Sequence, residues 1–87
     1  MLDYAQALVA WTRECPDIEL GLSPRGAVDL IGAARAWALF QGHAGIQPED
    51  LQAVFAPVAG HRLRPRETAR LSGEELTRMV LDAVAVP

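Results

Sequence analysis

Apolar residues recur at helical spacing in four stretches of this chain, and turn-forming or capping residues separate the stretches. The first stretch begins at Leu2 and predicts a helix that ends near Glu14. The second begins at Ser23, whose hydroxyl can accept a free amide hydrogen. Pro24 then fits the first helical turn, because its missing N–H needs no partner there. We expect this second helix to reach about Gln41.

The second helix has a broad apolar front, and we therefore expect it to be the central and most buried element. The front consists of Ala27, Leu30, Ile31, Ala34, Trp37 and Ala38, with Val28 and Leu39 on another flank. A narrow polar line also runs along this helix and either faces solvent or packs closely against another surface. That line consists of Arg25, Asp29, Gly32 and Ala36.

Pro48 opens a third helix, and the two carboxylates that follow it, Glu49 and Asp50, favour the positive end of the helix dipole. Pro57 lacks a backbone donor inside this stretch. It therefore predicts a kink or an end of the helix before Gly60.

The fourth helix begins with a capping box, in which Ser72 and Glu75 are spaced to satisfy each other's backbone amides, and we expect it to end near Val86–Pro87. Residues 64–71 are polar and arginine-rich, which predicts a surface loop or a partly mobile insert. Residues 18–22 alternate in polarity, but the chain offers no second strand to pair with them, so we interpret them as a loop. The pattern predicts an all-α fold, a small four-helix bundle.

Composition and charge narrow the classes of function. A chain of 87 residues fits one domain, and Ala, Leu and Val dominate the 51% of its residues that are hydrophobic, which suits helix packing. The net charge of −3 argues against nucleic-acid binding, which would otherwise fall to Arg62, Arg64, Arg66 and Arg70. No stretch resembles a membrane span or a signal peptide, and Cys15 is the only cysteine, so we expect a cytoplasmic protein.

Few residues suggest chemistry of their own. His43 and His61 match no zinc spacing, so we expect no metal site, and nothing near Cys15 would activate it as a nucleophile. The chain has no phosphate loop of the form GxxxxGK[ST] and cannot hydrolyse a nucleotide alone. Arg25 lies in the first turn of the second helix, where it could bind a phosphate or simply pair with Asp29.

Four segments, in this order and spacing, resemble the carboxy-terminal lid of MoxR-type AAA+ ATPases. They are GLSPRGA at 21–27, AARAWA at 33–38, PEDL at 48–51 and HRL at 61–63. The lids of magnesium chelatase subunits share the SPR segment and are a related possibility. The resemblance implies that residues 1–87 form one AAA+ lid domain of a longer ATPase, whose nucleotide-binding core is absent from this chain.

In that family the arginine of SPR is the sensor-2 residue. The resemblance therefore implies that Arg25 contacts the γ-phosphate of ATP, bound with Mg²⁺ by the core of the same or a neighbouring subunit, and that Ser23 and Pro24 belong to the same nucleotide-binding motif. It implies that the parent protein is an ATPase, although the isolated domain is not and binds no cofactor. It also implies a hexameric, ring-forming homo-oligomer with chaperone-like activity in protein or metal-cofactor maturation, with a von Willebrand factor A-type partner and without nucleic acid or membrane.

Three positions depart from the family pattern. Gly42–His43 replaces a glycine-arginine pair, Gly26 replaces alanine, and Gln47 replaces a threonine or serine cap. We expect the last two changes to weaken the local helices. The alternative hypothesis is a free-standing helical protein-protein interaction module, with Trp11 or Trp37 as its anchor.

Overall fold

The computed structural model of the protein describes residues 2–86, which contain four α-helices and one two-stranded sheet. The helices are α1 (Leu2–Glu14), α2 (Pro24–Phe40), α3 (Pro48–Ala59) and α4 (Gly73–Ala83). The predicted all-α class is confirmed. Met1, Pro87 and the side chain of Leu2 lie outside the described residues. None of the helices in the described part is long and apolar enough to cross a membrane.

The sheet corrects one prediction. Strand β1 (Ile18–Leu20) pairs antiparallel with β2 (Arg64–Pro65), so that Ile18 lies opposite Pro65 and Leu20 lies opposite Arg64. Our interpretation of residues 18–22 as a loop without a partner strand was wrong. The partner is only two residues long and one of them is a proline, which lacks an N–H for a sheet ladder, so it carries no recognisable strand pattern.

The segment at residues 64–71 is anchored to the loop that follows α1. The backbone N–H of Arg66 donates to the carbonyl of Asp17 at 2.9 Å, and its Nε donates to the carbonyl of Pro16 at 2.7 Å. A single 3₁₀ turn follows at Glu67–Ala69. The segment is largely on the surface, as predicted, but these bonds argue against a mobile insert.

The prediction that α2 is the most buried element was wrong. α3 buries five of its twelve residues, among them Leu51 and Phe55, whereas α2 buries a single stripe at four-residue spacing. That stripe consists of Gly26, Leu30, Ala34 and Ala38. The flank of α2 is open to solvent, with Val28 66% exposed and Leu39 71% exposed. The other helices therefore cover most of the apolar front of α2, with Ala27 and Ile31 partly buried against the core, and leave the flank of Val28 and Leu39 uncovered.

Capping determines the helix ends. The capping box of α4 is confirmed, since the Ser72 hydroxyl accepts from the Glu75 N–H at 3.1 Å and the Glu75 carboxylate accepts from the Ser72 N–H at 3.0 Å. α4 ends at Ala83, earlier than predicted, because Val84 is extended. α3 continues through Pro57 and ends before Gly60, in agreement with the prediction.

We predict that Gly73→Ala destabilises the fold. A Cβ at Gly73 would collide with the backbone carbonyl oxygen of Gly60, where α4 starts against the end of α3. The free energy of unfolding should fall by about 1–3 kcal/mol, as for other overpacked sites. Chemical denaturation followed by circular dichroism measures this change.

Gly32→Ala is the matched control. A Cβ at Gly32, in the middle of α2, meets no other atom within 4 Å. This substitution should raise the free energy of unfolding by about 0.5–1 kcal/mol, because alanine loses less backbone entropy in a helix. Equal denaturation midpoints for the two variants would contradict the close approach at Gly73.

Candidate functional site

The start of α2 holds Arg25 at the surface. Ser23 is the N-cap, and its hydroxyl accepts from the backbone N–H of Gly26 at 3.0 Å, while Pro24 occupies the first turn as predicted. Arg25 follows, with 86% of its side chain exposed. The guanidinium therefore projects outward from the end of the helix that carries positive partial charge.

Two contacts from α1 fix the residues just before this helix start. The Leu22 N–H donates to the buried Thr12 hydroxyl at 3.1 Å, and the Arg13 Nε donates to the Leu22 carbonyl at 2.9 Å. A Cβ at Gly21 would lie 2.6 Å from the Thr12 carbonyl oxygen, so only glycine permits this approach. Residues of α1 therefore fix both backbone groups of Leu22. These contacts also fix the direction in which α2 starts.

A cavity of about 480 Å³ opens beside Arg25. Side chains from α1, α2 and the turn after α3 meet there, and they include three of the eight arginines of the chain. The lining residues are Arg13, Leu20, Gly21, Leu22, Ser23, Arg25, Asp29 and Arg62.

Asp29 joins two of these arginines. One of its carboxylate oxygens accepts from Arg62 Nη1 at 2.7 Å, and the other lies 3.5 Å from Arg25 Nε. The hydrogen bond from Arg62 is the main cause that lowers the pKa of Asp29 below its ordinary value of 3.8; partial burial opposes it, and the charges of Arg62 and Arg25 reinforce it. Asp29 is therefore ionised at neutral pH.

Of the three predicted residues, Ser23 and Arg25 line the cavity, whereas Pro24 lies between them in the chain and is not among the lining residues. The Ser23 hydroxyl is used in the helix cap, and Pro24 has no donor, so Arg25 is the member of this motif that presents a cationic group to solvent, beside its long ion pair with Asp29. The sequence pattern predicted neither Arg13 nor Arg62 as a neighbour of Arg25. Arg62 belongs to the HRL segment at 61–63, which resembles the family pattern. Because Arg62 and Asp29 are 33 residues apart, the sequence did not indicate that they pair.

The donor set of the cavity fits phosphate better than a metal ion. Guanidinium groups present forked N–H donors that match phosphate oxygens. Asp29 is the only carboxylate among the lining residues, and it is paired with arginine. Within residues 2–86 no group of three or more His, Cys, Asp or Glu side chains is placed to hold a metal.

A second polar cluster joins the end of α2 to the start of α3. The Nδ1 of His43 lies 2.9 Å from the carboxylate of Asp50, which is completely buried, and its Nε2 lies 3.5 Å from Glu49. Asp50 also accepts from the backbone N–H of Gln47 at 2.8 Å. The histidine that replaces the arginine of the family pattern thus has a carboxylate partner. The same carboxylate caps α3 where Gln47 replaces a hydroxyl cap.

The ionisation of this pair follows from its contacts. Burial alone would raise the pKa of Asp50, but the hydrogen bonds from Gln47 and His43 outweigh it and lower the pKa below 3.8. The hydrogen bond to Asp50 raises the pKa of His43 above its ordinary value of 6.5, although partial burial opposes this. The two side chains therefore form an ion pair in mildly acidic solution.

The chain belongs to the AAA lid domain family, whose model matches residues 2–80. It is 40% identical over 63 residues to the protein MoxR of Paracoccus denitrificans, covering 72% of this chain and 19% of that protein. It is 31% identical over 99 residues to the chaperone MoxR1 of Mycobacterium tuberculosis, covering 100% of this chain and 26% of that protein. The recognition of a MoxR-type lid is confirmed.

Two further comparisons agree with the assignment to the AAA lid domain family. The uncharacterized protein YeaC of Bacillus subtilis is 34% identical over 88 residues, covering 98% of this chain and 28% of that protein. A crystal structure of a candidate ATPase from Cytophaga hutchinsonii superposes with a TM-score of 0.85 at 26% identity, covering 98% of this chain and 29% of the other. The chain thus spans between 19% and 29% of the length of these relatives.

We predict that the coupling between His43 and Asp50 weakens as the pH rises. His43, with its raised pKa, contributes stability that is complete below pH 6.5 and is lost as the pH rises through that pKa. Asp50, with its lowered pKa, contributes stability that is complete above pH 3.8 and is lost as the pH falls through that pKa. The pair should therefore stabilise the fold most between pH 3.8 and 6.5.

A double-mutant cycle with His43→Gln and Asp50→Asn measures this coupling. Melting temperatures of the four proteins should give a larger coupling at about pH 5.5 than at about pH 9. A coupling that is unchanged or larger at the higher pH would show that the ion pair is not the source of the stabilisation. Because Asp50 also caps α3, the cycle is needed to separate the loss of the pair from the loss of the cap.

Proposed function

We propose that this domain acts as the sensor-2 lid of a longer MoxR-type AAA+ ATPase, in which Arg25 contacts the γ-phosphate of ATP. In this proposal residues 1–87 are the lid, and a separate nucleotide-binding core holds ATP and Mg²⁺. The guanidinium stabilises negative charge on the terminal phosphoryl group. The core can belong to the same subunit or to its neighbour in the ring.

The observation that carries the proposal is the position of Arg25. It is 86% exposed at the start of a 17-residue helix and beside a cavity lined by two further arginines. Three guanidinium groups against one carboxylate leave this part of an otherwise acidic chain positively charged. Such a surface attracts a polyanion that another domain presents to it.

The open flank of α2 supports the presence of a partner domain. Leu39 and Phe40 are 71% and 81% exposed, and Val28 lies on the same helix as Arg25. Apolar side chains of this kind gain stability when a second surface covers them. We propose that the AAA+ core of the parent protein supplies that surface.

The remaining assignments rest on the resemblance to MoxR-type AAA+ ATPases. We propose that the parent protein forms a cytoplasmic hexameric ring and works as a chaperone in protein or metal-cofactor maturation, with a von Willebrand factor A-type partner and without nucleic acid or membrane. The chaperone role is supported by the name of the Mycobacterium tuberculosis relative.

A free-standing interaction module is the second candidate. The exposure of Leu39 and Phe40 favours it, because these side chains could equally contact an unrelated protein. It gives no role to the three arginines at the cavity. A lid uses both the apolar flank and the cationic cavity, and it agrees with the family of the chain.

We predict that Arg25→Ala in the full-length ATPase lowers the turnover of ATP on the order of 100-fold, as the loss of a single charge-stabilising donor does in other active sites. The melting temperature should change little, because the side chain is exposed and its ion pair with Asp29 is long. Arg78→Ala is the matched control, since Arg78 is also exposed and pairs with Glu74 four residues earlier in α4. Turnover at the wild-type rate in Arg25→Ala would remove Arg25 from the mechanism.

We also predict that the isolated chain hydrolyses no ATP and binds it only weakly. Arginine side chains alone cannot replace a phosphate loop and a bound Mg²⁺ ion. Isothermal titration calorimetry with ATP and Mg²⁺ tests this directly. A dissociation constant in the micromolar range would show that the chain carries a nucleotide site of its own.

A further inference from the structure

Asp29 lies between two guanidinium groups that reach it from different parts of the fold. Arg62 comes from the turn after α3 and donates to one carboxylate oxygen at 2.7 Å, whereas Arg25 comes from the first turn of α2 and lies 3.5 Å from the other oxygen. The two arginines thus bind opposite oxygens of one anionic group. A phosphoryl group presents oxygens that the same pair of donors could bind.

The contacts of Asp29 with Arg62 and with Arg25 differ in strength. The Arg62 contact is a short charge-assisted hydrogen bond between side chains that are each about one third exposed. The Arg25 contact is longer, and 86% of the Arg25 side chain is in solvent, so water and salt screen it. An incoming anion would therefore displace Asp29 from Arg25 more easily than from Arg62.

The guanidinium of Arg62 lies close to the start of α2. A Cβ at Gly26 would lie 3.6 Å from Arg62 Nη1 and 3.2 Å from the Leu22 side chain. Arg62 therefore packs against the same helical turn that carries Arg25. Both guanidinium groups line the cavity described above.

We propose that Arg25 and Arg62 form a two-arginine clamp for the terminal phosphoryl group of the nucleotide and that Asp29 occupies this clamp when no nucleotide is bound. This inference rests on the proposed sensor-2 function and adds to it a second phosphate-binding residue and a built-in competitor. When a nucleotide is bound, the phosphoryl oxygens take the place of the carboxylate oxygens on the arginines. Asp29 therefore competes with an anion for the two arginines. This competition weakens binding most for the nucleotide that carries the terminal phosphoryl group.

The clamp predicts opposite effects for substitutions of Asp29 and of Arg62. Asp29→Asn removes the competing charge at nearly constant shape, so the dissociation constant for a slowly hydrolysed ATP analogue should fall by about 2- to 5-fold, the range expected for an exposed ion pair. Arg62→Ala removes a donor and should raise that constant by about 10-fold or more. Both effects should be smaller for ADP, and the Asp29→Asn effect should shrink at high salt.

The experiment is an equilibrium titration of the full-length ATPase with the ATP analogue and with ADP. Glu74→Gln and Arg78→Ala are matched controls, because they remove the two members of an exposed ion pair on α4, and they should leave both dissociation constants unchanged. If Arg62→Ala lowers the melting temperature, Arg62→Lys tests the same point, because an ammonium group keeps the charge and loses the planar fork. Weaker or unchanged analogue binding in Asp29→Asn, or an unaltered preference for the analogue over ADP in the Arg62 variants, would overturn the clamp.

Arg25→Ala separates this inference from the function on which it rests. If Arg25→Ala keeps wild-type turnover and nucleotide binding, both the sensor-2 function and the clamp fail. If Arg25→Ala impairs turnover while Asp29→Asn and Arg62→Ala bind both nucleotides as the wild type does, only the clamp fails.

Discussion

The cationic cavity depends on two hydrogen bonds by which α1 fixes the backbone of Leu22. The Thr12 hydroxyl accepts from the Leu22 N–H, and Arg13 donates to the Leu22 carbonyl, so both backbone groups of this residue are fixed by the last turns of one helix just before the next begins. Gly21 permits the approach, since any Cβ there would meet the Thr12 carbonyl. The Ser23 cap then continues from a fixed point, and the direction of Arg25 follows from it.

The opposite end of α2 is fixed by different chemistry. The His43 N–H donates to the Ala38 carbonyl at 2.8 Å, and the His43 imidazole contacts the buried Asp50 carboxylate. Asp50 in turn accepts from the Gln47 N–H and caps α3. The sequence departs from the family pattern at both His43 and Gln47, and one carboxylate interacts with both positions. We expected the change at Gln47 to weaken the helix start, but the Asp50 cap supplies the missing contact.

Local signals in the sequence predicted the helices well, because caps and turn residues act within a few positions. The Ser23 and Ser72 caps confirm this. The strand pairing of Leu20 with Arg64 and the ion pair of Asp29 with Arg62 join residues more than thirty positions apart, and short polar segments carry no pattern that identifies such partners. Periodicity likewise showed the apolar residues of α2, but not that Val28, Leu39 and Phe40 would remain exposed.

The two features that suit a partner both lie on α2. Arg25 is in its first turn, and the exposed Leu39 and Phe40 are at its end, about 20 Å away along a continuous helix at 1.5 Å per residue. Because α1 holds one end and the His43 contacts hold the other, a force applied at Arg25 moves α2 with the rest of the bundle. In the proposed lid, α2 is therefore the element that would connect a phosphate at Arg25 with the surface that covers Leu39 and Phe40.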